Sequence, residues 1–256
     1  MDWIKYRLLY LLISLAVIGV GVYSYTRWGL NLSIDFTGGT IIEYQNKSGG
    51  AKFTERKGLI KQEEAVRDDA EIVRFESVGP TFSAEIFRKT LTAVAIAALG
   101  ILLWIAWQFR SLQFGVSAII AAAHDVLVLL GVFALLGHFL GAPIDTLFVT
   151  ALLTTLAFSV HDTIVVFDRI RESKKKVGGL IYELANMAIS QTMVRSLNNS
   201  LTVIFVLVAL VLLGGETLKW FAVALLIGTI TGTYSSPFVA VPLLVTWEQI
   251  KKRIKK

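Results

Sequence analysis

Hydrophobic and polar positions divide the chain into long apolar stretches separated by short charged segments. Several of the apolar stretches reach the roughly 20 residues that a helix needs to cross the hydrocarbon core of a membrane. The pattern therefore predicts six membrane spans, numbered one to six in chain order. They are Leu8–Tyr25, Leu91–Trp107, Phe114–Leu136, Leu147–Phe167, Leu201–Leu213 and Trp220–Trp247.

The fifth stretch reaches the length of a span only if it is extended toward the N-terminus. Leu201–Leu213 is short for a membrane helix, but a start near Ser196 gives a sufficient length. In that case Asn198, Asn199 and Ser200 enter the membrane with it. We therefore expect polar groups at the beginning of the fifth span.

The composition supports the prediction of a membrane protein. Apolar residues make up 55% of the chain and charged residues 17%, with a mean hydropathy of +0.66. Soluble domains carry charge on about a quarter of their residues. This composition excludes an ordinary soluble domain, and the absence of cysteine leaves the redox compartment undetermined.

The basic residues at the termini and in most of the short loops lie on one side of the predicted membrane, whereas the long hydrophilic segment 27–89 on the other side balances its acids and bases. The short loops on the other side contain only His138 and the pair Glu216 and Lys219. Because Lys and Arg concentrate on the cytoplasmic side of membrane proteins, both termini are predicted to be cytoplasmic. The net charge of +6 follows from this asymmetry, so we expect contact with anionic lipids and no binding of nucleic acid. The basic residues in question are Lys5, Arg7, Arg110, Arg169, Arg171, Lys174, Lys175, Lys176, Arg195 and the tail 251–256.

The longest hydrophilic segment predicts a small α+β domain outside the cytoplasm. Apolar residues alternate with polar ones from Leu30 to Phe36, which is the period of a half-buried strand. The glycine pair that follows predicts a turn, after which the sequence TIIEY returns as a second strand. A helix around Gly58–Val66 and a strand in EIVRFESV complete the predicted elements. With about 60 residues and no disulfide, this domain buries little apolar surface, and we expect it to rest on another part of the chain.

These segments predict an α-helical polytopic membrane protein with six transmembrane helices and a small α+β extracytoplasmic domain between helices 1 and 2. Residues 1–26 form the cytoplasmic N-terminus and the first helix, and residues 27–89 form the external domain. Residues 90–250 contain helices 2–6 with short cytoplasmic loops, and residues 251–256 form a basic cytoplasmic tail.

An acidic residue in the fourth span is the first candidate for chemistry. Asp162, preceded by His161, is separated from the first cytoplasmic arginine by apolar residues that include Ile164 and Phe167. A carboxylate in mid-membrane costs about 2.5 to 3.5 kcal/mol on insertion scales, and such residues usually serve a function. Thr155 and Ser159 lie on the same helical face as Asp162.

Further polar residues occur in the neighbouring spans. His124 and Asp125 lie near the middle of span three, and Arg195 opens span five with Asn199 and Thr202 on its face. Asp162, Arg195, Asp125, His124 and His161 are therefore the candidate proton-relay residues. In span six, Gly228, Gly232 and Ser236 lie four apart and predict close helix packing. Asp145, at the outer end of span four, is interpreted as an N-terminal cap.

Each of these residues has an alternative role that the sequence leaves open. Asp162 could belong to a buried ion pair that only holds helices together. One member of the pair His124 and Asp125 could form a hydrogen bond to a neighbouring helix without carrying a proton. Arg195 lies close to the cytoplasmic boundary and could serve as a topology anchor.

Metal and nucleotide chemistry are both disfavoured by the motifs. The chain has three histidines, no cysteine and no HExxH motif, so we expect no metal and no metalloprotease activity. The sequence FTGGT lacks the lysine and the following helix of a phosphate-binding loop. We therefore expect no cofactor and no enzymatic activity. What remains is proton chemistry, since a carboxyl group away from water can bind and release a proton beside an arginine.

Six motifs in order resemble the SecF family, the smaller membrane subunit of the SecD–SecF pair that assists the Sec protein-translocation channel. The D-T-x-V-x-F-D-R-I-R-E block is the most specific part, together with the GGE and YSS blocks. The motifs are SIDFTGGT, VGP, AHDV, FSVHDTIVVFDRIRE, QTMVRSLNNSLT and LLGGETLKWFAVALLIGTITGTYSSPFVAVPLL.

The resemblance implies half of a transporter of the resistance–nodulation–division (RND) type, which pairs with SecD and uses the proton motive force. It implies partnership with the SecYEG channel and unfolded translocating polypeptides, and functional coupling to SecA, in the cell membrane. The family's proton-pathway aspartate falls on Asp162, its functional arginine falls on Arg195, and Asp125 belongs to its third-span His-Asp motif. Because of Gly228, Gly232 and Ser236, span six is the first choice for the helix that meets SecD.

Two alternatives to this function remain at the level of the sequence. One is half of an RND-type exporter of small molecules or lipids, which would need a large external domain with a pocket. The segment between FTGGT and VGP is shorter than the family's usual one and leaves little room for such a pocket. The other alternative is a structural subunit of the translocase that relays no protons.

Overall fold

The fold is given by a computed structural model that describes residues 2–46, 52–67, 69–109 and 111–254. Arg110 and residues 255–256, which entered the charge argument, lie outside the described residues. Within the described ranges, six helices are long and apolar enough to cross a membrane. They are Ile4–Trp28, Pro80–Gln108, Leu112–Leu140, Thr146–Lys176, Ile181–Leu213 and Thr217–Lys251. The prediction of six spans is confirmed.

Every helix extends beyond the apolar stretch that predicted it, because polar residues continue the helices past the hydrocarbon. The fifth span is continuous from Ile181, so Asn198, Asn199 and Ser200 lie inside a helix as its length required. The second span begins at Pro80, within the segment assigned from sequence to the external domain. The helices are α1 (Arg7–Trp28), α2 (Ile34–Thr37), α3 (Pro80–Gln108), α4 (Leu112–Leu140), α5 (Thr146–Lys176), α6 (Ile181–Leu213), α7 (Glu216–Ser235) and α8 (Val241–Ile254).

The sixth span is interrupted between α7 and α8. Residues Ser236–Ala240 form a π-helical turn that contains Pro237. Proline has no N–H to donate and its ring crowds the preceding turn, so a helix is locally rewound where it occurs. The interruption lies at the strip of small residues predicted for close packing.

Helices α4, α5 and α7 form the centre of the bundle. Half of the most apolar window is buried in the third and sixth spans, and 39% in the fourth. The corresponding fractions are 17%, 6% and 11% for the first, second and fifth spans. The first, second and fifth spans, which correspond to α1, α3 and α6, therefore present most of their surface outward, to lipid or to another protein.

The strip of small residues packs within the chain. A Cβ atom built on Gly228 would collide with the side chain of Thr155, and one on Gly232 would lie 3.0 Å from the Cβ of Ser159. Ser236 also contacts α5, where its hydroxyl donates to the backbone oxygen of Ser159 at 3.3 Å. The predicted close packing is therefore present within the chain, between the fourth and sixth spans. The choice of span six as the helix that meets SecD stays a prediction.

The external domain contains a three-stranded antiparallel sheet in the order β2-β1-β3. Its strands are β1 (Gly39–Asn46), β2 (Lys52–Lys57) and β3 (Ala70–Val78). The strands predicted from TIIEY and EIVRFESV are confirmed as β1 and β3. The charged strand β2 was not predicted, and the helix expected around Gly58–Val66 is a short 3₁₀ turn at Gln62–Ala65.

The strand predicted from Leu30 to Phe36 is wrong. Leu32 forms only an isolated parallel bridge to Ile144, and the short helix α2 follows. The hydroxyl of Ser33 accepts a hydrogen bond from the backbone N–H of Asp35 at 3.1 Å, so it caps this helix. Local side-chain capping therefore outweighs the alternating pattern over so few residues.

The turn after α2 requires its two glycines. Gly38 has φ of 71° and Gly39 has φ of 114°, a region that residues with a side chain rarely adopt. A Cβ atom on Gly39 would also lie 2.9 Å from the backbone oxygen of Lys57. These glycines therefore allow β1 to begin directly after α2.

The external domain rests on the loop between α4 and α5, as its small size predicted. The N–H of Ser33 donates to the oxygen of Ile144 at 2.9 Å, and the N–H of Ile144 donates to the oxygen of Asn31 at 2.8 Å. Phe36 and Phe87 add an edge-to-face ring contact at 5.9 Å between α2 and α3. The domain is thus attached to the outer end of the membrane helices.

Candidate functional site: carboxyl groups within the membrane bundle

Asp162 lies buried between the fourth and fifth spans, with 8% of its surface exposed. The hydroxyl of Ser196 on α6 donates a hydrogen bond of 2.7 Å to its Oδ2. Among the described residues, no lysine or arginine forms an ion pair with this carboxyl group. The alternative in which Asp162 belongs to a buried ion pair therefore has no partner in the described structure.

A second carboxyl group, Asp125, is held by three helices. Its Oδ2 accepts hydrogen bonds from Ser159 on α5 and from Ser235 on α7, the latter at 2.6 Å. Its Oδ1 lies 2.9 Å from Nδ1 of His124. Nε2 of His124 is buried and finds no hydrogen-bond partner in the described part of the chain. Asp125 therefore has more partners than Asp162 and is the more tightly held of the two.

Hydroxyl groups fill the space around the two carboxyl groups. Oγ of Ser236 lies 2.9 Å from Oγ1 of Thr163, one residue after Asp162. Oγ of Ser200 lies 2.6 Å from Oγ1 of Thr233 and donates to the backbone oxygen of Ser196 at 2.9 Å. Helices α4, α5, α6 and α7 thus share a polar layer inside an otherwise apolar bundle.

Arg195 and His161 lie at the surface of the bundle. Both are exposed, and within the described residues neither forms a hydrogen bond or an ion pair. Both are close enough to Asp162 to interact with it electrostatically, but neither forms a hydrogen bond or an ion pair with it among the described contacts. Arg195 lines an open cavity of about 440 Å³ between α5 and α6, together with Asp168 and Glu172. The structure thus brings Asp162 together with Ser196 instead of with Arg195.

The sequence argument missed Ser196 and Ser235 as partners of the two carboxyl groups. Thr192, Ser196 and Ser200 lie four residues apart on α6 and are all buried. A repeat of hydroxyl residues at this spacing marks one helical face. That repeat is the sequence signal for the buried face of α6. Arg195, the residue before Ser196, lies on the exposed face instead.

The outer end of α5 is bound to the external domain by Asp35. Oδ2 of Asp35 accepts hydrogen bonds from the backbone N–H of Thr146 at 3.2 Å and from its hydroxyl at 3.0 Å. Thr146 is the first residue of the helix that carries Asp162. One helix therefore links the external domain to the buried carboxyl group.

Asp145 caps the same helix, as the sequence predicted. Its Oδ1 accepts a hydrogen bond of 2.7 Å from the N–H of Phe148. Burial raises the pKa of Asp145 above its usual value of 3.8, against the effect of this hydrogen bond, and the nearby charge of Asp35 raises it further. Two acidic side chains therefore share the outer end of α5.

Within the described residues, no group of three or more His, Cys, Asp or Glu side chains is arranged to hold a metal ion. The polar layer instead consists of two carboxyl groups, an imidazole and several hydroxyls. Groups of this kind can exchange and pass protons over hydrogen-bond distances.

Two family profiles match the chain. The profile described as "Protein export membrane protein SecD/SecF, C-terminal" covers residues 59–250, and that described as "SecD/SecF GG Motif" covers residues 29–45. The second match includes the turn of Gly38 and Gly39 and the residue Asp35. The first includes all of the membrane-embedded carboxyl groups described above.

Curated relatives are similar over almost the whole chain. The protein translocase subunit SecF of Thermobaculum terrenum is 40% identical, over 96% of this chain and 94% of the relative. The protein translocase subunit SecF of Anaerolinea thermophila is 39% identical, over 94% of this chain and 92% of the relative.

Solved structures show the same fold. The crystal structure of SecDF from Thermus thermophilus superposes with a TM-score of 0.88 at 31% identity, covering 97% of this chain. A crystal structure of SecDF in a super-membrane-facing form superposes with a TM-score of 0.72 at 28% identity, over the full chain. This chain spans 39% and 40% of those two proteins, so it corresponds to one part of each.

Proposed function

The chain belongs to the SecD/SecF family of protein-export membrane proteins, and we propose that it uses the proton motive force to assist protein translocation as a SecF-type subunit paired with SecD. Its six apolar helices make it a multi-pass membrane protein. In this proposal both termini are cytoplasmic, since the basic residues flank the helix ends on that side. The external domain then faces the compartment that receives the exported chain.

The observation that carries the proposal is the environment of Asp162. Its carboxyl group is buried in the membrane segment, and its hydrogen bond comes from the neutral hydroxyl of Ser196. A carboxylate locked to a cation would remain charged, whereas one bonded only to a hydroxyl can gain and lose a proton. The membrane potential contributes about 2.3 kcal/mol per charge for each 100 mV, enough to bias such a step.

Movement of the fourth span would carry the change in charge to the external domain. Protonation of Asp162 removes a charge from the interface of α5 with α6, which shifts the population of helix arrangements. The first residue of α5, Thr146, is bonded to Asp35 of the external domain. A shift of the helix would therefore move the base of that domain.

The remaining candidate residues take supporting roles in the proposal. Arg195 and His161 act on Asp162 electrostatically from the open side of the bundle, where a proton or water can enter. Asp125 and His124 hold a second titratable pair in the polar layer. The proton gradient is the only energy source in the proposal, which includes neither a bound cofactor nor an enzymatic step.

The partners in the proposal follow from the family. The chain would act with SecD beside the SecYEG channel on unfolded polypeptides that the motor SecA has begun to move. The poorly buried first, second and fifth spans offer outward surface for such contacts. Anionic lipids would surround the basic residues at the cytoplasmic ends of the helices.

An exchange of one carboxyl group for an amide tests the proposal. Asp162→Asn should abolish the part of translocation that an uncoupler inhibits, measured with a secreted precursor in inside-out vesicles. Glu183→Gln is the matched control, since Glu183 is an exposed acidic residue on α6 and lies outside the cavity lined by Arg195. Both variants should still purify with SecD.

The structural-subunit alternative makes the opposite prediction. It requires vesicles with Asp162→Asn to keep their full uncoupler-sensitive translocation, and that result would overturn the proposal. The exporter alternative has less support, because an exporter needs a ligand pocket in this domain and the side chains of the sheet pack against the domain itself. Ile42 and Tyr44 are fully buried there, and the hydroxyl of Tyr44 donates to the oxygen of Ala65.

A further inference from the structure

We propose that a basic cavity at the inner ends of α3, α4 and α5 binds the phosphate of an anionic phospholipid headgroup. The cavity has a volume of about 830 Å³ and lies between the loop after α3 and the last turn of α5. Arg171, Lys174 and Lys175 of α5 line it together with Ser111 and Gln113, which lie at the beginning of α4. This site is separate from Asp162 and does not depend on the proton relay.

The positive charge of the cavity is largely uncompensated. Lys176, the next residue along the helix, is paired with Glu172 at 2.6 Å. Lys174 and Lys175 are exposed, and neither forms an ion pair or hydrogen bond with another described residue. Two free ammonium groups at the mouth of one cavity attract a group with more than one acceptor oxygen, such as a phosphate.

Arg171 forms the fixed part of the basic wall. Its Nη1 donates a hydrogen bond of 3.0 Å to the backbone oxygen of Gln108, and it lies 3.7 Å from Oδ1 of Asp168. The guanidinium group is thereby held at the junction of the second and fourth spans. Its other N–H groups remain available for a bound anion, since guanidinium carries five of them.

A second observation points to a ligand with acceptor oxygens. Nε2 of Gln113, at the start of α4, is buried and finds no hydrogen-bond partner in the described part of the chain. An amide N–H₂ left without an acceptor costs about 1–3 kcal/mol. Gln113 lines the same cavity as the lysines, so a phosphate oxygen bound in the cavity would supply the acceptor that this amide lacks.

The apolar rim of the cavity selects a lipid over free phosphate. Trp107 lines the cavity with 70% of its surface exposed, and Leu112, which lies in the chain between the lining residues Ser111 and Gln113, is 76% exposed. Both lie at the ends of membrane-spanning helices, where tryptophan marks the level of lipid headgroups. A ligand whose phosphate lies in the basic cavity and whose acyl chains lie along the apolar rim fits this combination. Basic cavities between membrane helices bind such headgroups in other proteins.

Native mass spectrometry of the purified full-length chain in detergent tests the site. Phosphatidylglycerol and cardiolipin should remain bound, whereas phosphatidylcholine, which has no net charge, should bind much more weakly. The double substitution Lys174→Gln with Lys175→Gln should weaken phosphatidylglycerol binding by roughly 25-fold, since each basic residue contributes about fivefold. The matched control is Lys251→Gln with Arg253→Gln, which removes the same charge at exposed positions outside the cavity.

A second variant separates the cavity from general charge attraction. Gln113→Leu keeps every charge but removes the amide, and it should weaken phosphatidylglycerol binding about fivefold or more. Equal losses in the cavity variant and the control would overturn the proposal, as would equal binding of phosphatidylcholine. Displacement of the lipid by inorganic phosphate at the same concentration would show a free-anion site and would also overturn it.

Discussion

Ser196 on the fifth span donates a 2.7 Å hydrogen bond to Oδ2 of Asp162 on the fourth span. Both residues are buried, so the two helices meet at the carboxyl group itself. Any change in the protonation of Asp162 must therefore alter the contact between α5 and α6. The predictions below concern this contact and the other contacts that position α5.

Removal of the Ser196 hydroxyl should weaken translocation without abolishing it. Ser196→Ala deprives Asp162 of its donor, and hydrogen bonds between membrane helices contribute about 0.6 kcal/mol on average. The proton-driven rate in vesicles should fall and its pH profile should change. Thr202→Ala is the control, because its hydroxyl donates at 2.8 Å to Asn198 within the same helix. An unchanged pH profile for Ser196→Ala would contradict the role of this bond.

A methyl group at the packing strip should destabilise the bundle. Gly228→Ala places a Cβ atom against Thr155, and overpacking of this kind costs about 1–3 kcal/mol. Gly100→Ala is the matched control in another span, where a Cβ atom meets nothing within 4 Å. Thermal unfolding in detergent should show a lower melting temperature for Gly228→Ala alone. Similar melting temperatures for both variants would show that the strip tolerates separation of α5 from α7.

Loss of the Asp35 carboxylate should uncouple the external domain from the fourth span. Asp35→Ala removes two hydrogen bonds to Thr146, and bonds to a charged acceptor contribute about 1.5–3 kcal/mol each. Hydrogen exchange at the start of α5 should accelerate, and translocation should fall although Asp162 is intact. Glu71→Ala, an exposed acidic residue of the same domain, should leave both unchanged. Normal translocation together with accelerated hydrogen exchange would show that the contact between Asp35 and Thr146 is not needed for translocation.

Asp145 should make the stability of the chain depend on pH. Burial raises its pKa above the usual 3.8, so folding favours the protonated form. This contribution is fully present below the usual pKa and is lost as the pH rises through the raised value. As the pH rises above about 4, this residue should therefore contribute a decrease in the melting temperature.

Asp145→Asn is the variant that isolates this contribution. The amide stays neutral and can still accept the hydrogen bond from Phe148, so the decrease in melting temperature with rising pH should be smaller and stability at neutral pH should be higher. Glu71→Gln, at an exposed position of the external domain, controls for the loss of a carboxylate. An identical pH dependence for Asp145→Asn and the unaltered chain would show that burial of Asp145 has no effect on folding.

The membrane fold was predictable because its signal is long and repeated. A run of apolar side chains that matches the hydrocarbon thickness has few other stable arrangements, so all six spans were identified. The N-terminal cap at Asp145 was predictable for a similar reason, since a capping side chain acts within one helical turn. The strand expected from Leu30 to Phe36 failed, because Ser33 caps a short helix there and the alternation covers few residues.

The candidate site was predictable in part. Asp162 was identified by the cost of a carboxyl group in hydrocarbon, and the structure buries it as that cost requires. Its partner was not predictable, because Ser196 lies on another helix and any of several polar residues could have faced it. Arg195 was the expected neighbour, but helix rotation directs it outward and Ser196 inward.

The sequence by itself determined the number of spans, the class of the protein and the presence of ionisable groups in the membrane. These properties follow from the transfer of each side chain between water and lipid, which depends on local composition. Only the tertiary structure decided that the glycine strip packs against the fourth span and that Asp35 binds the outer end of that helix. Helix rotation and pairing depend on contacts between residues far apart in the chain, which no local pattern of apolar and polar positions specifies.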